Sequence, residues 1–473
     1  MKIATSLLVL MAAAALGCAS EIEHAQNETK DSDVVRRAHV TASDAVLDGS
    51  ILGHLRAFQQ IANRHGGVRA AGTAGYDESA DYVAGKLTAA GFDVTKQAFP
   101  FSFSGTLAEK LAVDGVSVPI RSMKFSVSTP AGGIDSTLFV LTTPGCTIGD
   151  YAGQLVAGKI VLVKRGGREG CFLRDQERAA AEAGAAAVVI YNHVPGNFTG
   201  TLPEGWGRIP AGGITTADGE SLRQKHGAPT HLEIRELIET RTTYNVIAET
   251  KTGRKDRVVM AGAHLDSVQR GPGINDNGSG SAVLLEDALR RGGSPAVTNA
   301  LRFAWWGAEE LGLLGAHAYI QSLTAEQRAR IAMYLNFDMV ASPNAGYFVM
   351  DGDDSEHTGR GPGPAGSAEI EAAFLTEFAA LGVPTEASDL NDSSDQGEFL
   401  EVGIASGGFD TGSRDVKTEA QAAKWGGTAG IAFDPCYHEA CDTSDNINRH
   451  ALVRNARVME RVITKFGNAI TSR

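Results

Sequence analysis

Histidine and carboxylate side chains recur just beyond short apolar runs in the second half of this 473-residue sequence. Val258 to Ala263 is followed by His264 and Asp266, Leu301 to Trp306 by Glu309 and Glu310, and Met333 to Phe337 by Asp338. Gly271 to Gly280 is a tight, glycine-rich loop carrying Asp276, and His438 lies in the stretch from Asp434 to Cys441. Singly, each has an ordinary explanation: a histidine satisfied by a nearby carboxylate, glutamates favoured at a helix start by its dipole, an Asp-Asn-Gly turn. Together they are delivered by successive strand ends to one edge of one sheet, where the ligands of open α/β proteins gather. Burying that much negative charge without a cation is prohibitive, so the set reads as a metal centre. Two histidines and three carboxylates with no cysteine suit zinc in a catalytic site. Five ligands exceed the three that one catalytic zinc takes from protein, so two Zn2+ ions sharing a bridging carboxylate are expected.

The elements that must present these groups alternate. Strands are expected at Tyr244 to Glu249, at the three runs above and at Tyr347 to Met350, with helices at Ser281 to Arg291, Leu311 to Leu323 and Glu369 to Leu381. Buried apolar strands alternating with helices imply an α/β fold, a three-layer sandwich around a mostly parallel mixed sheet. Upstream, Tyr76, Ala80, Val83, Leu87 and Ala90 recur at steps of 3 and 4 before Gly91, which predicts an amphipathic helix. Alternation in Phe92 to Phe99 predicts a strand. Between about 109 and 236 the texture changes. There Lys159 to Lys164 and Ala186 to Tyr191 read as strands, Arg174 to Ala183 as a helix and Ile214 as the start of a further strand, with no His, Asp and Glu cluster at metal-like spacing.

The length predicts about three units at roughly 150 residues each. Lys and Arg number 43 against 56 Asp and Glu, a net charge of −13 that leaves no basic surplus for a phosphate backbone and argues against nucleic acid as a partner. With 43% hydrophobic residues, 56 Gly and 15 Pro, the composition is that of a loop-rich globular protein. Residues 1 to 18 have the form of a signal peptide, one positive charge at Lys2 and then an uncharged run ending in small residues. That run is shorter than the ~20 apolar residues a membrane span needs, so an exported protein without a transmembrane segment is expected. Ala14 to Cys18 also has the form of a bacterial lipobox, with Cys18 as the lipidated residue; ordinary cleavage near Ala19 is the alternative, and both stay open. Residues 19 to 45 read as a polar tether or pro-segment. Four cysteines remain, Cys146, Cys171, Cys436 and Cys441, and an even number in an exported chain suggests two disulfides, with local pairing expected among the three connectivities.

Two resemblances bear on these readings. Gly145-Cys146, Gly158 to Gly166, Cys171-Phe172 and Ala183 to Asn192 resemble a protease-associated domain, an inserted β-rich accessory module without chemistry of its own, here over 109–236. Residues 258 to 285 and 301 to 315, with Leu335 to Met339 and Asp434 to His438, resemble the bacterial secreted double-zinc aminopeptidases of the leucyl type, over 46–108 and 237–473. That likeness implies a zinc exopeptidase fold in which His264 and Asp338 complete one zinc, Glu310 and His438 the other, and Asp276 bridges them. It also implies Glu309 as general base, Asp266 as the group holding the His264 tautomer and Tyr437 as a stabiliser of the oxyanion. A bridge between Cys436 and Cys441 would restrict the loop that carries His438.

The implied activity is removal of N-terminal, apolar residues from peptides outside the cytoplasm, by a protein secreted or lipid-anchored at the bacterial cell envelope. Ser406 to Gly412 resembles one wall of the pocket for the first residue, with Phe409 as the contact; a place in the core is the alternative for Phe409 and stays open. Relatives place an arginine immediately before Ser394-Asp395, where this chain has Ser393, a departure that bears on substrate contacts and leaves the metal centre intact. The rivals are a carboxypeptidase or a glutaminyl-peptide cyclase on the same scaffold, or a binding protein with a vestigial site. The full ligand set and Glu309 argue against the cyclase and the binding protein. The acidic run Asp351 to Glu356 reads as a solvated loop, with calcium as the alternative. Asn197-Phe-Thr and Asn277-Gly-Ser fit a glycosylation pattern that a bacterial leader makes uninformative.

Overall fold

The computed structural model describes residues 42–166, 171–194, 198, 200–357, 359 and 361–469. The leader, Cys18, most of the tether and Asn197 lie outside the described residues. Among those described, no helix is long and apolar enough to cross a membrane.

Two compact units share the chain: one ends at Gln97 and resumes at Tyr244, and the other is Ala98–Thr243. In the first, strands lie in the order Glu386–Asp389, Phe348–Asp351, Ser406–Asp410, Ile331–Phe337, Arg254–His264 and Asn299–Trp306, then the end of Pro229–Glu249. Ser406–Asp410, Ile331–Phe337, Arg254–His264 and Asn299–Trp306 run parallel, and the last strand joins antiparallel to Asn299–Trp306. The sheet is mixed and mostly parallel, as the sequence pattern implied.

Period-two alternation sorts the strand residues to two faces. Val259, Ala261 and Ala263, with Leu301, Phe303 and Trp305 and with Met333, Leu335 and Phe337, join a core beneath the helices Ala42–Arg64, Ala74–Ala89, Gly278–Arg291, Ser367–Ala380 and Arg449–Asn468. Their neighbours Met260, Ala304, Trp306 and Tyr334 join a second core with Ala316, Tyr319, Ile320 and Phe399 from the helices Leu314–Ser322 and Gln396–Glu401. Three layers result. Both indoles are buried and hydrogen-bonded: the Trp305 N–H donates to the Ser281 carbonyl at 3.1 Å, and the Trp306 N–H to the Tyr334 hydroxyl at 2.8 Å.

The helix expected from Tyr76 runs Ala74–Ala89, capped by the Thr73 side chain and burying Tyr76, Ala80, Val83 and Leu87. Two long helices, Ala42–Arg64 and Arg449–Asn468, are absent from the sequence reading, and the first begins within the expected tether. The second unit carries a parallel run of Ile134–Val140, Ile160–Lys164, Ala187–Tyr191 and Ala211–Ile214, with a disulfide between Cys146 and Cys171. Ile214 closes a strand there instead of opening one, because the Thr215 hydroxyl accepts from the Asp218 N–H and starts the helix Thr216–Leu222.

Phe409 requires a correction. Its ring is fully buried, 5.9 Å from Phe337, 5.4 Å from Phe374 and 5.1 Å from Phe378, so it belongs to the core and not to a pocket wall. Phe409→Ala is expected to cost about 3–5 kcal/mol of stability. Denaturant melts of the variant check this; a changed KM with unchanged stability would return Phe409 to the pocket.

Candidate metal centre

The strand edge supplies the site. Arg254–His264 ends on His264, Asn299–Trp306 leads into a 3-10 turn at Glu309–Leu311, and Ile331–Phe337 ends one residue before Asp338. Asp276 precedes the helix Gly278–Arg291, whose cap Asn277 accepts from the Gly280 N–H at 2.9 Å. His438 comes from a loop closed by the Cys436–Cys441 disulfide. Ala308, Met339 and His438 all adopt left-handed φ values, 58°, 54° and 60°, so backbone strain clusters at these residues.

Two triads converge. His264, Asp276 and Asp338 form one, and Asp276, Glu310 and His438 the other. His264 Nε2 lies 3.2 Å from Asp276 Oδ1 and 3.2 Å from Asp338 Oδ1. His438 Nε2 lies 3.1 Å from Asp276 Oδ2 and 3.0 Å from Glu310 Oε2. Asp276 therefore turns one oxygen to each imidazole. Glu309 Oε2 stands 3.9 Å from His264 Nε2, beside the first triad but outside it.

These residues fit zinc. Donor atoms about 2.0 Å from a shared tetrahedral ion stand roughly 3.3 Å from one another, close to the separations just given. Asp276 Oδ2 and Asp338 Oδ1 are buried and accept no hydrogen bond, which an acceptor meant for protein donors seldom does. Side-chain exposure rises from 1% at His264 to 11% at Glu309, 20% at Asp338 and 34% at His438, so the centre opens to solvent on the Asp338 and His438 side.

The electrostatics agree with a cation site. Burial depresses the His438 imidazole, but Glu310 and Asp276 more than reverse this and hold its pKa at about 10. His264 is likewise raised, with burial opposed by Asp338 and Glu309. Burial raises Asp276, yet the imidazoles of His264 and His438 beside it bring it below the usual carboxylate range. Burial pushes Glu309 well up, His264 opposes, and Asp338, Asp395 and Glu310 reinforce the rise.

Groups around the centre hold it. The fully buried Arg69 guanidinium donates to the carbonyls of Leu265, Pro272 and Gly273, clamping the segment between His264 and Asp276. Asp442 accepts from the N–H groups of Asn275 and Asp276 at 2.8 and 3.0 Å, and the Asn446 amide ties it to Asp434. The Ser394 hydroxyl donates to Asp338 Oδ2 at 2.8 Å. Asp395 is buried with both carboxylate oxygens unpaired, and burial raises its pKa well above normal. None of these was assigned a role from sequence; their significance lies in contacts across long separations, for which no local motif exists.

Asp266 is placed differently from the expectation. The His264 Nδ1 faces the Asp266 backbone carbonyl at 3.1 Å, whereas the carboxylate stays 3.7 Å away. The carboxylate instead accepts from the Glu309 and Glu310 N–H groups at 3.1 and 3.4 Å, which no spacing rule reveals. Tyr437 stacks on His438 with ring centroids 3.8 Å apart. Burial, with Asp276 and Glu310, raises its pKa, so its hydroxyl keeps its proton and remains a donor. Asp351, Asp353 and Glu371 form a third acidic cluster, but Asp351 and Glu371 already accept from the loop's own Ser355, Glu356 and Gly352 N–H groups.

Residues 245–463 match the model of Peptidase family M28, and residues 134–222 that of the PA domain. A probable lipoprotein aminopeptidase of Mycobacterium tuberculosis is 43% identical over 423 residues, covering 87% of this chain and 83% of that protein. An aminopeptidase of Pseudomonas aeruginosa is 40% identical over 429 residues, covering 85% and 78%. Among solved structures, a zinc aminopeptidase from Bacillus subtilis superposes with a TM-score of 0.72 at 25% identity, over 90% of this chain and 96% of that one.

Proposed function

This chain belongs to peptidase family M28, and from that premise we infer that it is a zinc aminopeptidase that releases N-terminal residues from peptides outside the cytoplasm. The observation that carries this reading is the pair of triads sharing Asp276, with Glu309 beside them. We take the triads as two zinc positions: His264, Asp276 and Asp338 for one, Asp276, Glu310 and His438 for the other. Zinc held there supplies Lewis acidity, which polarises the scissile carbonyl and eases loss of a proton from the attacking water.

The chain's own groups do the rest. Glu309, outside the ligand set, accepts the water proton and returns it to the departing amine. Asp266 aligns this base through the Glu309 and Glu310 N–H groups, and its carbonyl fixes the ring of His264. Tyr437, protonated and beside His438, donates to the carbonyl oxygen as negative charge develops on it. Ser394 keeps Asp338 turned to its triad.

Export is supported by the two disulfides and by the relative named as a lipoprotein; Cys18 is the position a lipid anchor would take. The Ala98–Thr243 unit, which includes the PA match, is the accessory module of this reading, and the other unit is the catalytic one.

Leucine p-nitroanilide and its N-acetylated form, each with and without a zinc chelator, test the assignment. Release from the free-amine substrate alone, abolished by the chelator and restored by zinc, is the expected result. Preference for the blocked substrate would overturn it.

A further inference from the structure

The parallel register places Phe337 opposite Phe409, so the residues that follow, Asp338 and Asp410, stand side by side at the carboxyl ends of the two strands. Asp338 enters a metal triad, and Asp410 enters neither. Phe409 points into the phenylalanine core, so alternation turns Asp410 away from that core at the strand's carboxyl end. There its side chain is half-buried, and Oδ1 accepts from the Gly412 N–H at 2.8 Å. The charged neighbours that act on it, Asp338 and Asp415, are both acidic. A partly desolvated carboxylate with one backbone donor and acidic neighbours is matched by no cationic side chain among those that act on it, and a cationic group brought in by a ligand would offset the cost of its burial.

We propose that Asp410 reads the side chain of the substrate's first residue, so that the site takes a cationic N-terminal residue, lysine or arginine, in addition to apolar ones. The inference rests on the aminopeptidase reading above. The geometry supports it because the strand that ends in Asp410 is the next one along the edge from the strand that delivers Asp338, on the side where the centre opens. A long cationic side chain lays its methylene stem on apolar surface and carries its charge to the far end, so a pocket with an acidic residue in its wall holds both classes. The Asp410 hydrogen bond to Gly412 has a plain role in closing the turn, and asparagine preserves that acceptor while removing the charge.

The test compares kcat/KM for lysine and norleucine p-nitroanilides, which share a chain of similar length and differ in charge, in the zinc-loaded enzyme and in Asp410→Asn. The lysine-to-norleucine ratio is expected to fall by about tenfold or more in Asp410→Asn, as loss of a charged contact predicts, and to be largely kept in Asp410→Glu. A second measurement needs no variant: in the wild-type enzyme, added salt should raise KM for the lysine substrate more than for norleucine. A ratio unmoved by Asp410→Asn, or equal salt responses of the two substrates, overturns the role of Asp410. Failure of the wild-type enzyme to release either anilide would overturn the aminopeptidase reading and this inference together, so the two failures are distinct.

Discussion

Glu309→Gln is expected to lower kcat by about 10²- to 10⁴-fold while zinc content, KM and thermal stability stay close to wild type. Glutamine has the volume of glutamate and keeps the Glu309 backbone N–H that binds Asp266 at 3.1 Å, so the turn carrying Glu310 should not shift. What it loses is the carboxylate that takes the proton. Because Glu309 sits outside both triads, the variant separates proton transfer from metal binding, and turnover with measured zinc per chain are the two readouts. Near-normal turnover would remove Glu309 from the mechanism. A parallel loss of zinc would make it a ligand.

The convergence of the candidate residues is legible in sequence because they stand where strands stop. His264 and Asp338 follow runs of apolar residues whose ends are visible in one dimension, and Glu310 follows a third. Sequence leaves Phe409 between pocket and core because Ser406–Asp410 is too short, and too rich in glycine, to show which face each residue takes; only its neighbours in the sheet decide that. The unit boundaries were equally hidden. Gln97 and Thr243 lie inside the long strands Asp93–Val113 and Pro229–Glu249, which pass through without a change in composition, whereas the sequence reading set the limits at 109 and 236. The closing helix differs again: Leu452, Ala456, Met459, Ile463 and Phe466 recur at helical spacing, so its period is written in the sequence. Arg69 was not available, since its partners lie about two hundred positions away in sequence and a lone buried arginine has no local pattern.

Asp276→Ala is expected to abolish measurable turnover and to deplete zinc at both positions, whereas His438→Ala should deplete one. The difference follows from geometry: Asp276 gives Oδ1 to the triad of His264 and Oδ2 to that of His438, while His438 serves a single triad. Removing it also frees the Asn275–Asp276 backbone from its purpose without removing the Asp442 hydrogen bonds that position it, so the fold should survive the change. Zinc per chain after desalting is the direct measurement. Two ions in the wild-type enzyme, about one in His438→Ala and fewer than one in Asp276→Ala support a shared bridge; equal losses in the two variants would exclude it. Proton linkage gives an independent check. In the metal-free protein the carboxylates keep both imidazoles protonated well above the usual histidine range, His438 up to about 10, so zinc must displace those protons to bind. Apparent zinc affinity should therefore rise with pH between 6 and 8, by about tenfold per unit for each imidazole that gives up its proton. His438→Ala removes one such proton and should flatten the slope by about one order per unit, a change that loss of an unrelated structural contact would not produce.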